Sequence, residues 1–373
     1  MQLAPGGHHL ARHARLRSAL RASALDVLIV TSLPNIAYLT GLFASMAALL
    51  VSQDELRLFV DARYLLPATD RQGDLEGLTL TLIPSGGSFE DSLAEVAQGY
   101  SGGRVGIEAE HITVRQHNYL ADRMAGMGGP TALEATDGLV ENLRSVKDPW
   151  EIARLREAAA RLSDAAKCII PNVLTGMSER HLAGLIEAEL RRVGFDKPAF
   201  DTIVASGPNS AIPHYRSGDR RLATGDLVVL DFGGILDGYA VDLARTITIG
   251  PASPQAGQML DEVVAAQQAA FMAVRVGRPA TEVDEAARRV LERAGLGDAF
   301  SHGTGHGLGL EVHERPRLTR PRPGLPVEPL EAGMVFTLEP GAYVPGWGGV
   351  RIEDDVVVTM AGPEWLTDVP RRM

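Results

Sequence analysis

Cysteine is nearly absent from this 373-residue chain, occurring once, at Cys168. An intramolecular disulfide framework and a cysteine-held metal cluster are therefore excluded, and a reducing compartment fits best. Basic charge is in deficit too: 36 Lys and Arg stand against 47 Asp and Glu, for a net charge of −11. That balance disfavours nucleic acid, whose phosphates need a basic surface, and suits a cytoplasmic enzyme. Long apolar runs are missing. The longest, Leu39 to Val51, is too short to span a bilayer and carries small and polar residues, so no membrane segment is expected. The start of the chain lacks the apolar run and small-residue cleavage site of a secretory signal. Its first 25 residues are arginine-rich and acid-poor, as in a transit peptide. An amphipathic helix over His8 to Ala24 is the preferred reading, because the segment runs directly into a strand-like stretch. The patterns GxxxxGK and GxGxxG do not occur, which removes the usual support for nucleotide and dinucleotide chemistry.

What is present is enough apolar residue, 45% against 22% charged, to bury real cores, and a length that favours two domains. Asp26 to Thr31, Ala47 to Val51, Leu56 to Val60, Leu78 to Ile83 and Val105 to Glu108 read as strands. Phe89 to Gln98 and Val114 to Met124 have helical spacing. Strands alternating with helices indicate an α/β domain, placed at residues 1–136. A polar linker, 137–149, ends at Asp148-Pro149, which opens a long helix from Trp150 to Ile170. The second domain, 150–373, adds helices at Ser178 to Val193, Ser253 to Val276 and Thr281 to Ala294. Cys168 falls in the first of its helices and reads as a small buried apolar position.

Chemistry concentrates in this second domain. Ser301 to Glu314, SHGTGHGLGLEVHE, interleaves His302, His306 and His313 with four glycines, a stretch too glycine-rich for a stable helix. Leu227 to Phe232 and Tyr239 to Ile249 form a strand pair, separated by Gly233-Gly234 and an Asp237-Gly238 turn signal. A turn centred near Leu236 and Asp237 puts Asp231 directly opposite Asp242; a turn centred on Asp237-Gly238 makes them diagonal neighbours. Either way both face one side. Two carboxylates so placed repel unless a cation lies between them. Glu339 and Glu353 repeat the pattern around Pro345-Gly346-Trp347. Four carboxylates and a histidine suit Mn²⁺, Co²⁺ or Zn²⁺ better than copper or iron-sulfur, and their charge balances two divalent ions. Two such ions can activate a shared hydroxide for hydrolysis.

The ordered set Asp231, Asp242, His306, Glu339 and Glu353 resembles the ligands of the pita-bread-fold dinuclear metallopeptidases, in the Xaa-Pro dipeptidase (prolidase) and aminopeptidase P branch. The likeness extends through PHYRSGDR, LDFGG, DLARTIT, TLEPGAY and GVRIED, and through NIAYLTGL, VDARY and LVENLRSVKDPWEI in the first half. It implies an α/β creatinase-like N-terminal domain and an α+β pita-bread C-terminal domain. It also implies hydrolysis of the bond before proline, in Xaa-Pro dipeptides, by a metal-bridging hydroxide, with manganese as the first expected ion. Asp231 would be a terminal ligand, Asp242 and Glu353 would bridge, and His306 and Glu339 would hold the second ion, Glu339 also taking the water's proton. His214, His302 and His313 would face the substrate carbonyl, Tyr343 would line the site, and Arg351 would stand behind the carboxylates. Arg317 resembles a residue that pairs with the substrate's C-terminal carboxylate, a task suited to guanidinium. The alternatives are an aminopeptidase P acting on longer Xaa-Pro peptides and a non-catalytic binding module. A homodimer is expected from the resemblance alone. Arg315 to Pro329 is richer in Pro and Arg than the corresponding family loop. The glycines around His306 are expected to let the backbone approach the metal centre.

Overall fold

The computed structural model describes residues 3–75, 77–100, 103–127, 133–321, 323–324 and 327–372. The chain divides into two compact units, residues 2–144 and 145–373. In the first, one sheet carries, in spatial order, Leu78–Ile83, Leu56–Asp61, Ala48–Ser52, Val27–Val30, Val105–Glu108 and Leu133–Thr136. The centre is antiparallel and both flanks are parallel. Val27–Val30 is buried at every residue, which is why its sequence is a continuous apolar run without alternation. Pro34 does not end this strand's neighbourhood in a loop. It lies in the first turn of an unanticipated helix, Leu33–Thr40, that stops at Gly41 with φ 71°. The terminal carbonyls of that helix explain two histidines with no expected partner. His9 Nδ1 lies 3.2 Å from Tyr38 O and His13 Nε2 2.6 Å from Leu39 O, and both side chains are buried.

The second unit begins with the helix Pro149–Ile169, closed at its start by a reciprocal cap between Asp148 and Glu151. Its buried stripe, Leu155, Ala158, Ala159, Leu162, Ala165 and Ala166, packs toward the hairpin Leu227–Leu236 and Tyr239–Thr248. Cys168 lies off this stripe and is exposed, correcting the expectation that it is buried. Within the segment expected as linker, Leu139–Ser145 is helical. The remaining strands form a five-stranded sheet in the order Glu314–Leu318, Gly305–Gly307, Val335–Leu338, Asp354–Thr359 and Gly362–Trp365, and a two-stranded ribbon, Gly341–Val344 with Gly348–Arg351. Helices Pro254–Ala273 and Ala280–Arg293 close a second apolar core against this sheet.

Two details of the hairpin differ from expectation. The strand does not stop at Gly233-Gly234 but continues through them to Leu236. A Cβ on Gly233 would come within 2.3 Å of Val241 O, and one on Gly234 within 2.4 Å of the Phe195 ring, so these glycines permit close packing within the sheet. The two-residue turn is Asp237-Gly238, with φ 52° and 88°, both left-handed as a two-residue hairpin of this type requires. Asp231 therefore pairs with Ala244 and Asp242 with Gly233. The directly opposed register is ruled out and the diagonal one is adopted. The stretch expected as a loop from Arg315 also begins as strand, through Leu318; Arg322, Leu325 and Pro326 of that stretch lie outside the described residues.

Candidate active site

Two strands, one strand end and an isolated bridge deliver the acidic groups to one place. Asp231 and Asp242 project from the same face of the hairpin, two residues out of register. On the other side of Asp242's strand, Glu353 N donates to Ala244 O at 2.9 Å. The ribbon pairs Gly341 with Arg351 at the end away from its turn at Pro345-Gly346-Trp347, and Glu339 and Glu353 both lie just beyond that open end. His306 stands on the short strand between Arg317's strand and Val335–Leu338. Its Nε2 lies 3.7 Å from Glu339 Oε1 and 4.0 Å from Asp242 Oδ2. Ligand atoms of Asp242, His306 and Glu353 all lie within 4.8 Å of one another. Gly305 and Gly307, on either side of His306, face neighbouring strands and not the cavity-floor carboxylates. A Cβ on Gly305 would meet Thr337 O at 1.9 Å, and one on Gly307 would meet Arg315 O at 2.1 Å. Their role is close strand packing, which corrects the expectation that they admit the backbone to the metal centre.

These residues floor a cavity of about 950 Å³ whose walls include His214, His302, His313, Arg317 and Arg351. Asp231, Asp242 and Glu353 are buried, yet Asp231 Oδ1, Asp242 Oδ1 and Glu353 Oε1 have no hydrogen-bond partner. Burial, then the charges of Asp231, Asp355 and Glu339, push the Asp242 carboxyl well above the usual carboxylate range. Glu353 is raised well by burial, then by Asp242, Glu339 and Asp231. Burial raises Glu339 to about 8, against the opposing pull of Arg351. Without cations, the pocket would take up protons. Burial, with His313 next, lowers His306 to about 3, leaving it neutral and able to offer a nitrogen lone pair. Orphaned carboxylate oxygens beside a neutral imidazole are the donor set that hard or borderline divalent ions require, so the residues present fit such ions.

Around this floor the hydrogen bonds form a chain. Arg351 Nη2 donates to Asp231 Oδ2, while its Nη1 donates to Tyr343 Oη at 3.1 Å and to Pro213 O at 3.0 Å. Arginine can only donate, so the Tyr343 hydroxyl proton is free to point at His302 Nε2, 2.8 Å away. His302 Nδ1 then donates to Gly303 O at 2.8 Å. Burial, with Arg351 next, lowers His302 to about 4, consistent with this neutral tautomer. Both nitrogens of His302 are thereby engaged. His313 packs edge-on against His306, with ring centroids 4.2 Å apart, and with His214 it remains exposed at the cavity wall. Arg317 is exposed there as well.

Sequence reasoning missed two supporting groups. Asp355, buried behind the hairpin, accepts from Asp242 N at 3.2 Å; the run Glu353-Asp354-Asp355 carried that signal, since period two puts Glu353 and Asp355 on one face. Asp284 accepts from Thr304 N at 3.0 Å and pairs with Arg288, which donates to Phe300 O and His302 O. This i,i+4 pair fixes the loop that carries His302.

An α/β unit followed by an α+β unit with a carboxylate-lined cavity defines a two-domain peptidase of the creatinase and prolidase type. The model of metallopeptidase family M24 matches residues 153–360, and the creatinase/prolidase N-terminal domain matches residues 12–146. The chain belongs to metallopeptidase family M24, and it is a peptidase with a pita-bread C-terminal domain. It is 34% identical over 359 residues to an uncharacterized peptidase, YqhT, of Bacillus subtilis, covering 96% of this chain and 98% of the relative. Among solved structures, an Xaa-Pro dipeptidase from Bacillus anthracis superposes with TM-score 0.89 at 32% identity, covering 98% of this chain and 100% of that one. An X-Pro aminopeptidase from Thermotoga maritima superposes with TM-score 0.83 at 30% identity, covering 95% and 98%. No helix among the described residues is long and apolar enough to cross a membrane.

Proposed function

We propose that the protein is an Xaa-Pro dipeptidase, hydrolysing the peptide bond that precedes proline with the help of two divalent cations, manganese first among them. The observation that carries this reading is the group of buried carboxylate oxygens without partners at the cavity floor. Asp231, Asp242, His306, Glu339 and Glu353 would hold the ions, with Asp242 and Glu353 shared. When bound, the ions would supply an activated water and polarise the scissile carbonyl. The chain's own residues do the rest. Glu339, open to the cavity, would accept the proton of the attacking water and return it. His214 and His313 present N–H groups toward the carbonyl oxygen, where such donors contribute about 3 to 4 kcal/mol each. His302 lines the cavity with its Nε2 held by the buried Tyr343 hydroxyl, and Arg351 holds Asp231 in place.

Arg317 would bind the substrate's terminal carboxylate, which favours dipeptides. The likeness to an X-Pro aminopeptidase supports a second reading, release of the first residue from longer Xaa-Pro peptides. Within the first reading the enzyme acts in the cytoplasm as a homodimer, an assignment that rests on the family likeness, the acidic charge and the single cysteine. Rates on Ala-Pro and Ala-Pro-Ala separate the two. We expect Ala-Pro to be cleaved far faster, and Arg317→Ala to raise its KM about tenfold or more, since a hydrogen bond to a charged group contributes about 1.5 to 3 kcal/mol. Cleavage of the tripeptide alone would refute the dipeptidase reading.

A further inference from the structure

His214 faces the cavity, but its ring has no hydrogen-bond partner among the described residues, so its position depends on the backbone that carries it. That backbone is the segment from Ser206 to Gly218, which leaves the strand Ile203–Ser206, makes a short 3-10 turn at Gly207–Ala211 and passes Pro213 to Arg216 along the cavity wall. The ends of this segment are held by a residue that does not line the cavity. Glu179, at the start of the helix Glu179–Arg192, is fully buried. It does not cap its own helix; Ser178 does, accepting from His181 N at 3.2 Å. Glu179 Oε1 instead accepts from Ser206 N at 2.8 Å, Ser206 Oγ at 2.6 Å and Asn209 Nδ2 at 2.9 Å. Its Oε2 accepts from Gly218 N at 3.2 Å. One carboxylate thus ties together both ends of the segment. Its middle is held separately, by Arg351 on Pro213 O at 3.0 Å. Asn209 carries the clamp one step further, donating to Tyr215 Oη at 2.9 Å, beside His214.

We propose that Glu179 is a positioning residue that sets the place of His214 at the substrate carbonyl, an assignment that rests on the peptidase reading above. Four donors converge on it, and only an ionised carboxylate accepts on both oxygens without offering a hydrogen of its own. An amide in its place would turn an N–H₂ group toward a donor. The loop would then shift, and small misplacements of a reacting group lower rates out of proportion to the movement.

The test is a double-mutant cycle on the metal-loaded full chain, comparing wild type, Glu179→Gln, His214→Ala and the double variant. It measures kcat and KM on Ala-Pro, bound manganese per chain and Tm. Glu179→Gln should keep its metal and lower kcat/KM about ten- to hundredfold, with the loss shrinking to less than about twofold in the His214→Ala background, because the two act through one position. Glu179→Asp, which keeps both acceptors, should recover part of the rate. Undiminished activity in Glu179→Gln, or an equal loss in both backgrounds, would overturn the proposal. Should Glu179→Gln fail to fold, Asn209→Ala removes one donor and keeps the carboxylate; it should show the same dependence on His214 at smaller size, and additivity would overturn the proposal there too. A wild-type protein inert toward Ala-Pro would refute the peptidase reading itself, and this role with it.

Discussion

Each of the two units buries carboxylates, and they treat them in opposite ways. In the first unit, Glu108 is buried at the end of the inner strand Val105–Glu108, and both its oxygens are satisfied: Oε2 accepts from Thr31 N at 2.6 Å and Ser32 N at 2.8 Å, and Oε1 from Asn35 Nδ2 at 2.6 Å. In the second unit, Asp231, Asp242 and Glu353 are equally buried, and each keeps an oxygen with no partner. Elsewhere in that unit the same chain pairs buried acids completely, as in Asp354 with Arg245 at 2.7 Å and Glu314 with Lys147 at 2.7 Å. The unsatisfied acids are therefore those of the cavity floor and Asp355 directly behind them, whose Oδ1 is likewise without a partner. Full satisfaction marks Glu108 as a structural group that ties a strand end to the following helix. Orphaned oxygens, which are expensive to bury, mark a place whose partners come from outside the chain.

That contrast can be broken in several ways. The largest effect should come from Asp242→Asn. Removing the residue proposed to be shared by both ions should lower kcat/KM by more than about a hundredfold, the scale known when only the residues behind metal ligands are changed. The same change relieves a crowded, poorly satisfied charge, so the metal-free protein should melt higher, as expected where function is held at the expense of stability. Thermal melts with chelator and assays with manganese check both halves. Glu108→Gln should do the reverse. It leaves a donor against Thr31 N or Ser32 N, which should destabilise the protein by about 1 to 3 kcal/mol, read as a lower Tm, while manganese per chain stays unchanged.

A smaller effect concerns pH. Glu339 raised to about 8, and Asp242 and Glu353 raised well, bind protons more tightly folded than unfolded in the metal-free protein. Their contribution to stability is present below the ordinary carboxyl range and is lost as pH rises through the raised values, about 8 for Glu339. His302 and His306, lowered to about 4 and 3 from 6.5, act oppositely, but only below 6.5. Between pH 6.5 and 8 the carboxylates alone remain, so the metal-free Tm should fall across that window. Manganese should abolish the slope and release protons on binding, measurable by calorimetry in buffers of different ionisation heat. A flat metal-free Tm over that window would contradict the cavity's crowded charge.

Much of this site was legible from residues alone, because its chemistry is written in local patterns. Asp231 and Asp242 share a face by strand alternation around Asp237-Gly238, and His302, His306 and His313 crowd one segment. The register stayed open between two turns, since only the left-handed φ at Asp237 and Gly238 decides it. The glycines near His306 were misread because what they approach, Thr337 O and Arg315 O, depends on which strands become neighbours. Cys168 was a missed reading of period: the stripe Leu162, Ala165, Ala166 continues at Ile169 and Ile170 and leaves Cys168 on the outer face. Asp355 behind Asp242 is signalled by the period-two run Glu353-Asp354-Asp355, whereas Glu179 behind His214 acts through contacts far apart in sequence, which no local pattern shows.

The most direct test of the central claim is a titration of Mn²⁺ into chelator-stripped protein while Ala-Pro hydrolysis is followed. Hydrolysis should be absent at the start, rise with added metal and saturate at two ions per chain. Undiminished hydrolysis in the stripped protein, or saturation without any need for a second ion, would contradict the claim that the orphaned carboxylates exist to hold a pair of cations.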